Sequence, residues 1–352
     1  MSCTGTAALL MLHSVDDAQI VTVDVLADDA LLEQWVDAST ESGRHEFGDR
    51  HTEFTADEVR VEHRLTTDYL TTRYAALVDD VVVGSAALNL PVRDNPGLAY
   101  LRVSVRPAHR RRGVGSALLQ RLETDARAGG RSTLNAGSTV AVDHDDPAAP
   151  FAARHGYVAE LVELRSDLDL PTGGVDDLLT PLEADAAQHT GAYDVLTWWD
   201  GIPDEWLDQR AHGSARMSTD APSGGLVLDE ESWDANRVRE MVQVQHEQGR
   251  RFVETAAVHR ATGQLAAFSD LSAPSHTPTL AYQWDTLVLK EHRGRRLGQL
   301  VKAANLRALL AELPAVTRIV TWNADVNAPM LRVNRAMGFV TVGVTTEWQK
   351  VG

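Results

Sequence analysis

Residues 98–122 read LAYLRVSVRPAHRRRGVGSALLQRL, and residues 280–306 read LAYQWDTLVLKEHRGRRLGQLVKAANL. Each opens on Leu-Ala-Tyr, runs through an apolar stretch, crosses an Arg/Gly cluster and enters a stretch with helical spacing of apolar residues. The surroundings recur as well. VDVLADDALLEQW from Val23 answers YDVLTWWDGIPDEW from Tyr193. VVVGSAALNLP from Val81 answers TGQLAAFSDLSAP from Thr262, TLNA from Thr133 answers TWNA from Thr321, and RHGY from Arg154 answers AMGF from Ala336. The segments keep the same order in both halves. That is the mark of a duplicated domain rather than of a short-period solenoid.

At 352 residues the chain is long enough for two domains, each with its own core. The 43% hydrophobic and 24% charged content is that of a globular protein. The one cysteine, Cys3, excludes an intramolecular disulfide and a cysteine-based metal cluster. It suits a reducing compartment, and we expect a cytoplasmic protein. The N-terminal apolar patch AALLML lacks a basic segment before it, and no stretch approaches the ~20 apolar residues of a membrane helix. A formal net charge of −17 argues against general nucleic-acid binding and tolerates cationic small molecules. The histidines His212, His246, His259 and His276 show no metal-ligand spacing, so no metal is expected.

The spacing predicts a helix over 30–39 and a hairpin turning at Asp79-Asp80. AYLRVSV is a further strand, stopped by Pro107. A helix then runs from Gly115 to Gly129-Gly130. In the second copy LAAFSDL and AYQWDTLVL read as strands, GQLVKAANLRALLAEL as a helix stopped at Pro314, RIVTW as a strand, and APMLRVNRAM as a helix closed by Gly338. Pro/Gly-rich DLPTGGVDD, Asp169 to Asp177, lies between the copies. Taking 171–177 as the linker gives an N-terminal domain over 18–170 and a C-terminal domain over 178–352.

The strand–Arg/Gly loop–helix unit carries chemistry. A helix N-terminus exposes unpaired N–H groups and a partial positive charge, so it binds phosphate. Glycines let the backbone approach the anion. The first copy supplies Arg110-x-x-Gly113-x-Gly115 between a strand and a helix.

With these residues in view, the chain resembles the GNAT superfamily of N-acetyltransferases. It is most like the tandem GNAT proteins of actinobacteria, a layout that mycothiol synthase shares. VRPAHRRRGVGSALL matches the family's Q/R-x-x-G-x-G/A loop in full. The resemblance implies a mixed α/β (α+β) fold class. It implies two tandem GNAT domains, each a splayed mixed β-sheet flanked by helices. It also implies acetyl-CoA as acyl donor, its pyrophosphate held by Arg110, Arg111, Arg112, Gly113, Val114, Gly115 and Ser116, and its pantetheine arm paired like an added strand beside Val103 and Val105. In the second copy the matching residues are Leu287 and Val288, then Arg293, Gly294, Arg295, Arg296, Leu297 and Gly298. Asn327 matches the family's asparagine at the start of the last helix, which contacts the pantetheine arm.

Both copies depart from the family pattern. Arg296 stands where the middle glycine belongs, with Gly294 as an extra glycine nearby. The tyrosine that many relatives place five residues before the aromatic of the terminal Gly-aromatic pair is replaced by Asn334 before Phe339 and by Ala152 before Tyr157. Any acid is then another group, such as His292 or water, or the thiolate leaves unaided.

On the acceptor side, aligning Val105 with Val288 sets Arg102 opposite Asp285. An ammonium acceptor must lose a proton before attack, and a nearby carboxylate attracts the cation and takes or relays that proton. Asp285 and Glu291 are the candidates, whereas Arg102 repels an ammonium. Trp198, Trp199, Trp206, Trp233, Trp284 and Trp322 crowd the second copy, as core or as the wall of a cation pocket. We therefore expect a GNAT N-acetyltransferase acting on a small cationic amine, such as an amino-sugar or peptide-like metabolite or antibiotic, with the C-terminal half catalytic. The alternatives are catalysis in the N-terminal half, or a non-catalytic acyl-CoA-binding or drug-sequestering protein. The expected partners are acetyl-CoA and the amine, with no nucleic acid and no membrane, in a monomer or homodimer.

Overall fold

The structure is a computed structural model that describes residues 18–52 and 54–352. Cys3 and the apolar patch lie outside the described residues. The element order repeats. The first half runs β1 (Gln19–Thr22), α1 (Asp29–Phe47), α2 (Ala56–Leu65), β2 (Tyr69–Val78), β3 (Val81–Pro91), β4 (Leu98–Val105), α3 (Val114–Ala128), β5 (Thr133–Ala141), α4 (Ala148–Arg154) and β6 (Val158–Asp169). An additional helix, α5 (Asp176–Ala187), follows. The second half is β7 (Tyr193–Trp199), α6 (Asp204–Asp220), α7 (Ala235–Glu247), β8 (Arg250–His259), β9 (Gln264–Pro274), β10 (Leu280–Val288), α8 (Leu297–Glu312), β11 (Arg318–Ala324), α9 (Ala328–Ala336) and β12 (Val340–Val351).

Local chemistry accounts for the boundaries. Thr55 and Glu58 form a capping box on α2, and Asp28 and Asp234 cap α1 and α7. Asp79 and Asp80 both have positive φ, as a two-residue hairpin turn requires. Helix α1 runs on from the expected 30–39 to Phe47, and its added turns are tied down by Arg110, which binds Ser42 and Glu46. The expected link, 171–177, joins β6 to α5, and its last two residues open that helix.

One sheet of 12 strands crosses the molecule in the order β1-β2-β3-β4-β5-β12-β6-β11-β10-β9-β8-β7. The last strands are exchanged. β6, which ends the first half, pairs with β11, and β12, which ends the second, pairs with β5. Trp348 of β12 therefore sits in the first half's core with Leu118 and Leu122 of α3. The α1–α2 loop ties to the other half through Arg50, which reaches Asp167 at 3.0 Å. The α6–α7 loop ties back through Gly225 N–H to the Glu160 carbonyl (2.9 Å) and Val227 N–H to Gln349 Oε1 (3.1 Å).

One detail of the repeat needs correction. Leu98 pairs with Thr133 and Leu280 with Arg318, so Thr133 is equivalent to Arg318 and not to Thr321. The TLNA and TWNA resemblance is out of structural register.

Candidate functional site: a splayed strand pair under each helix N-terminus

In both halves two parallel strands part. β4 and β5 pair only from Leu98–Thr133 to Leu101–Ala136, and β10 and β11 only from Leu280–Arg318 to Tyr282–Val320. Beyond these pairs each strand offers a free edge at the end of the sheet that faces the helix N-terminus.

The two Arg/Gly loops share one backbone course. Arg111 and Gly113 have φ of 62° and 86°, and Gly294 and Arg296 have φ of 80° and 58°. The two left-handed positions are conserved while glycine and arginine have traded places. Gly294 is thus no spare glycine: it takes the position of Arg111. Neither α3 nor α8 has a side-chain N-cap, so the first-turn amides are left for an anion. A Cβ on Gly115 would lie 3.6 Å from Val105 Cγ2, and one on Gly298 would lie 3.6 Å from Val288 Cγ2. Each helix start thus rides on the end of its free strand edge. The uncapped amides, the left-handed turn and the free edge fit the pyrophosphate and pantetheine of an acyl-CoA.

The first arginine of each loop is a brace. Arg110 donates to the Val105 carbonyl (3.2 Å), to Glu46 (2.9 Å) and to Ser42 (2.9 Å). Arg293 donates to the Val288 carbonyl (3.0 Å) and to Asp220 (2.9 Å). Both pin the loop to the strand end and to the preceding helix, so they shape the anion cradle rather than enter it. Arg111 and Arg112 are exposed, and Arg295 bonds the Glu291 carbonyl at 2.7 Å. The loops differ in cover. At the second, Asp185 of α5 accepts from Gln299 Nε2 (3.0 Å) and lies 3.2 Å from Arg296 Nε. A protein carboxylate therefore competes for part of the cationic surface there.

The acceptor-facing side of the sheet is also asymmetric. Gln283 pairs with Leu271 and Thr286 with Ser269, so Trp284 and Asp285 together oppose Asp270 in a β-bulge. In the first half β4 pairs with β3 without a bulge, and Arg102 there opposes Ala87. The Asp285 amide freed by the bulge donates to Asp270 Oδ1 at 2.9 Å. Arg210 of α6, fully buried, binds Glu254 (2.6 Å), Asp270 (3.1 Å) and the Ser214 hydroxyl, and lies 3.9 Å from Asp285. Burial pushes the carboxyls of Glu254, Asp270 and Asp285 up, and Arg210 pulls each back down. Although 42% of the Asp285 side chain meets solvent, its carboxylate rests on this buried acidic wall. In the first half Arg73 and Ala87 stand in place of Glu254 and Asp270, and Trp35 packs there. The Arg210–Glu254–Asp270 cluster thus has no counterpart at the equivalent positions of the first half.

Residues 31–157 match the acetyltransferase (GNAT) family. A tandem GNAT protein from the clavulanic acid biosynthesis pathway, solved without acetyl-CoA, is 26% identical, with a TM-score of 0.77 over 95% of this chain and 98% of that chain. Residues 31–157 thus carry the GNAT match, and nearly the whole chain is similar to a tandem GNAT protein.

A GCN5-related N-acetyltransferase from Sphaerobacter thermophilus shares the fold at 14% identity and a TM-score of 0.62, covering 96% of this chain and 97% of that chain. No curated protein matched the chain. Enzymes of the GNAT family draw their acyl group from acetyl-CoA. Among the described residues no helix is long and apolar enough to cross a membrane.

The structure does not bring Glu291 to Asp285. Glu291 sits exposed beyond the strand end, where Gln264 donates to it at 3.0 Å and helps hold its carboxyl below the usual range. His292 is no free acid: Tyr193 and Gln264 occupy its two ring nitrogens at 2.8 and 3.0 Å, and burial lowers its pKa. Asn327 caps α9 through the Met330 amide at 3.3 Å. Asn334 donates to Asn323 Oδ1 at 2.6 Å, which leaves its own Oδ1 buried without a partner, a free acceptor in the family's tyrosine position. Leu287 points into the core beside Phe268. Trp198, Trp206 and Trp233 pack in the core, whereas Trp284 and Trp322 stack with Tyr282 on the acceptor-facing side. Arg210, Glu254, Asp270 and Lys302 were not singled out by spacing. Their signal was polar residues at core positions of an apolar strand or helix.

Proposed function

We propose that the protein is an acetyl-CoA-dependent N-acetyltransferase for a small cationic amine, built of GNAT units over 18–170 and 178–352, with the second catalytic. The observation that carries this reading is Asp285, raised on the bulge where β10 pairs with β9 and backed by the Arg210 cluster. A carboxylate there attracts an ammonium and takes its proton, and its raised pKa brings it closer to the working pH of a base. The stacked faces of Trp284 and Trp322 favour a cation beside it. The acyl-CoA supplies the activated acetyl group. The amides of Leu297 and Gly298 and the free edge at Leu287 and Val288 are the groups that would hold it. Release of free thiol from acetyl-CoA across a panel of amines tests the activity. Release that no amine stimulates would favour a binding or sequestering protein.

A second reading, catalysis in the N-terminal half, draws on a cavity of about 230 Å³ at the β4/β5 splay. Its lining includes Ser42, Glu46, Ser104, Thr139, Arg165 and Trp322. Glu46 of α1 is held there by Arg110, whereas Arg102, on β4 with Ser104, opposes a cationic acceptor.

A further inference from the structure

The face of the sheet under α8 and the helix face over it differ from their counterparts at α3 at six positions beside the splay. The first half places Leu101, Val103, Ala136, Leu119, Leu122 and Ala86 there, all in one apolar cluster. Structural register puts Gln283, Thr286, Thr321, Lys302, Asn305 and Ser269 at the same places. Apart from Lys302, these polar groups bond to one another and to nearby backbone. Gln283 Nε2 donates to Ser269 Oγ (3.1 Å), Ser269 and Thr286 share a hydroxyl bond (2.8 Å), Asn305 donates to the Ser269 carbonyl (3.0 Å), and Thr321 donates to the Gln283 carbonyl (3.1 Å).

Lys302 is the ionisable member, buried to 1% exposure. One turn before it, Gly298 rides on Val288. One turn after it, Leu306 packs in the cluster that holds Ala281 and Ile319. Lys302 therefore lies between the turn of α8 that rides on the free end of β10 and the turn that packs in that cluster, with its ammonium 5.3 Å from the Phe339 ring centre. Asp270 is the charge that favours its ammonium form, and burial outweighs it, pushing the amine down to about 7. A buried amine that titrates near neutrality gives and regains a proton readily.

We propose that Lys302 donates the proton to the departing CoA sulfur, the task left open by Asn334. The inference rests on the C-terminal half being the catalytic one. As the acceptor nitrogen bonds to the acetyl carbon, the C–S bond breaks and its electron pair goes to sulfur. Sulfur takes one proton from the Lys302 ammonium. The acceptor ammonium gives up two protons in all: one passes through Asp285 to solvent, and the other leaves the nitrogen as the amide forms and restores Lys302 through solvent. The sum is ammonium plus thioester to amide, thiol and one released proton.

The test uses the full chain with the first loop disabled by Gly115→Glu, alone and with Lys302→Met, which keeps length and removes the charge. Calorimetry first measures CoA binding, and the ultraviolet absorbance of bound CoA thiolate is then followed against pH. The ammonium of Lys302 should lower the thiol pKa of bound CoA. Lys302→Met should raise it again, leave KM for acetyl-CoA within about twofold, and cut kcat about tenfold or more. Bound CoA whose thiol titrates identically in both proteins would overturn the proposal and leave the C-terminal reading standing. Failure of Gly115→Glu protein to bind CoA at all would overturn both. If Lys302→Met does not fold, Lys302→Gln is measured the same way.

Discussion

Gly113 and Arg296 occupy the same left-handed turn at the entrance to α3 and α8. The second loop thus has the same shape with an arginine at that position and a glycine, Gly294, at the other left-handed one. Conservation of backbone course, rather than of the R-x-x-G-x-G letters, lets both halves present helix amides to an anion.

Cofactor stoichiometry follows from the loops. Gly115→Glu and Gly298→Glu place a carboxylate and its bulk at the helix starts. Each should remove one CoA from a total of two per chain measured by calorimetry. An unchanged count for either variant would take that loop out of the binding site.

The carboxylate of Asp185 sits against Arg296 and Gln299, where it offsets positive charge. Asp185→Asn should tighten CoA binding at the second loop severalfold, with the gain shrinking at high salt as screening grows. Equal affinity at low salt would show that Asp185 does not reach the anion's field.

Exchange of β6 and β12 makes the halves interdependent. Trp348 belongs to the second half by sequence and to the first by packing. Trp348→Ala should cost about 3–5 kcal/mol and strip hydrogen-exchange protection from β4 and β5. Loss of protection confined to β10 and β11 would contradict the exchange.

Lys302 links stability to pH. With its folded pKa near 7 and its unfolded value about 10.4, the unfolded chain binds the extra proton between them. The penalty is complete below the folded pKa and fades as pH rises, so this group makes stability climb from about pH 7 to about pH 10. Lys302→Met should be more stable than wild type at pH 7, and the gap should narrow toward pH 10 in chemical denaturation. A gap independent of pH would mean that Lys302 stays charged in the fold.

The duplicated strand–loop–helix unit was legible because its glycines, prolines and apolar periods act locally. The strand exchange was not, since β5 pairs equally well with either last strand as far as local pattern goes. Asp285 could be read from its place on the strand. The Arg210 cluster could not, because α6, β8 and β9 bring Arg210, Glu254 and Asp270 together over long sequence separations. The bulge hid as well: one inserted residue, Trp284, leaves both flanking patterns intact.

The central claim is that Asp285 takes the acceptor's proton in the C-terminal half. Replacing Asp285 by Asn keeps size and hydrogen bonding but removes basicity, and a general base contributes about 10²–10⁴-fold. Steady-state turnover of Asp285→Asn against pH, with Arg102→Ala as the matched first-half change, measures this most directly. We predict a loss of at least about tenfold for Asp285→Asn, shrinking at high pH where free amine is abundant, and near wild-type turnover for Arg102→Ala. Wild-type turnover should fall on the acid side above the ordinary carboxylate range, since burial raises the Asp285 pKa. Full activity in Asp285→Asn, with activity lost on changing Arg102 or Glu46, would place the reaction in the N-terminal half and contradict the account.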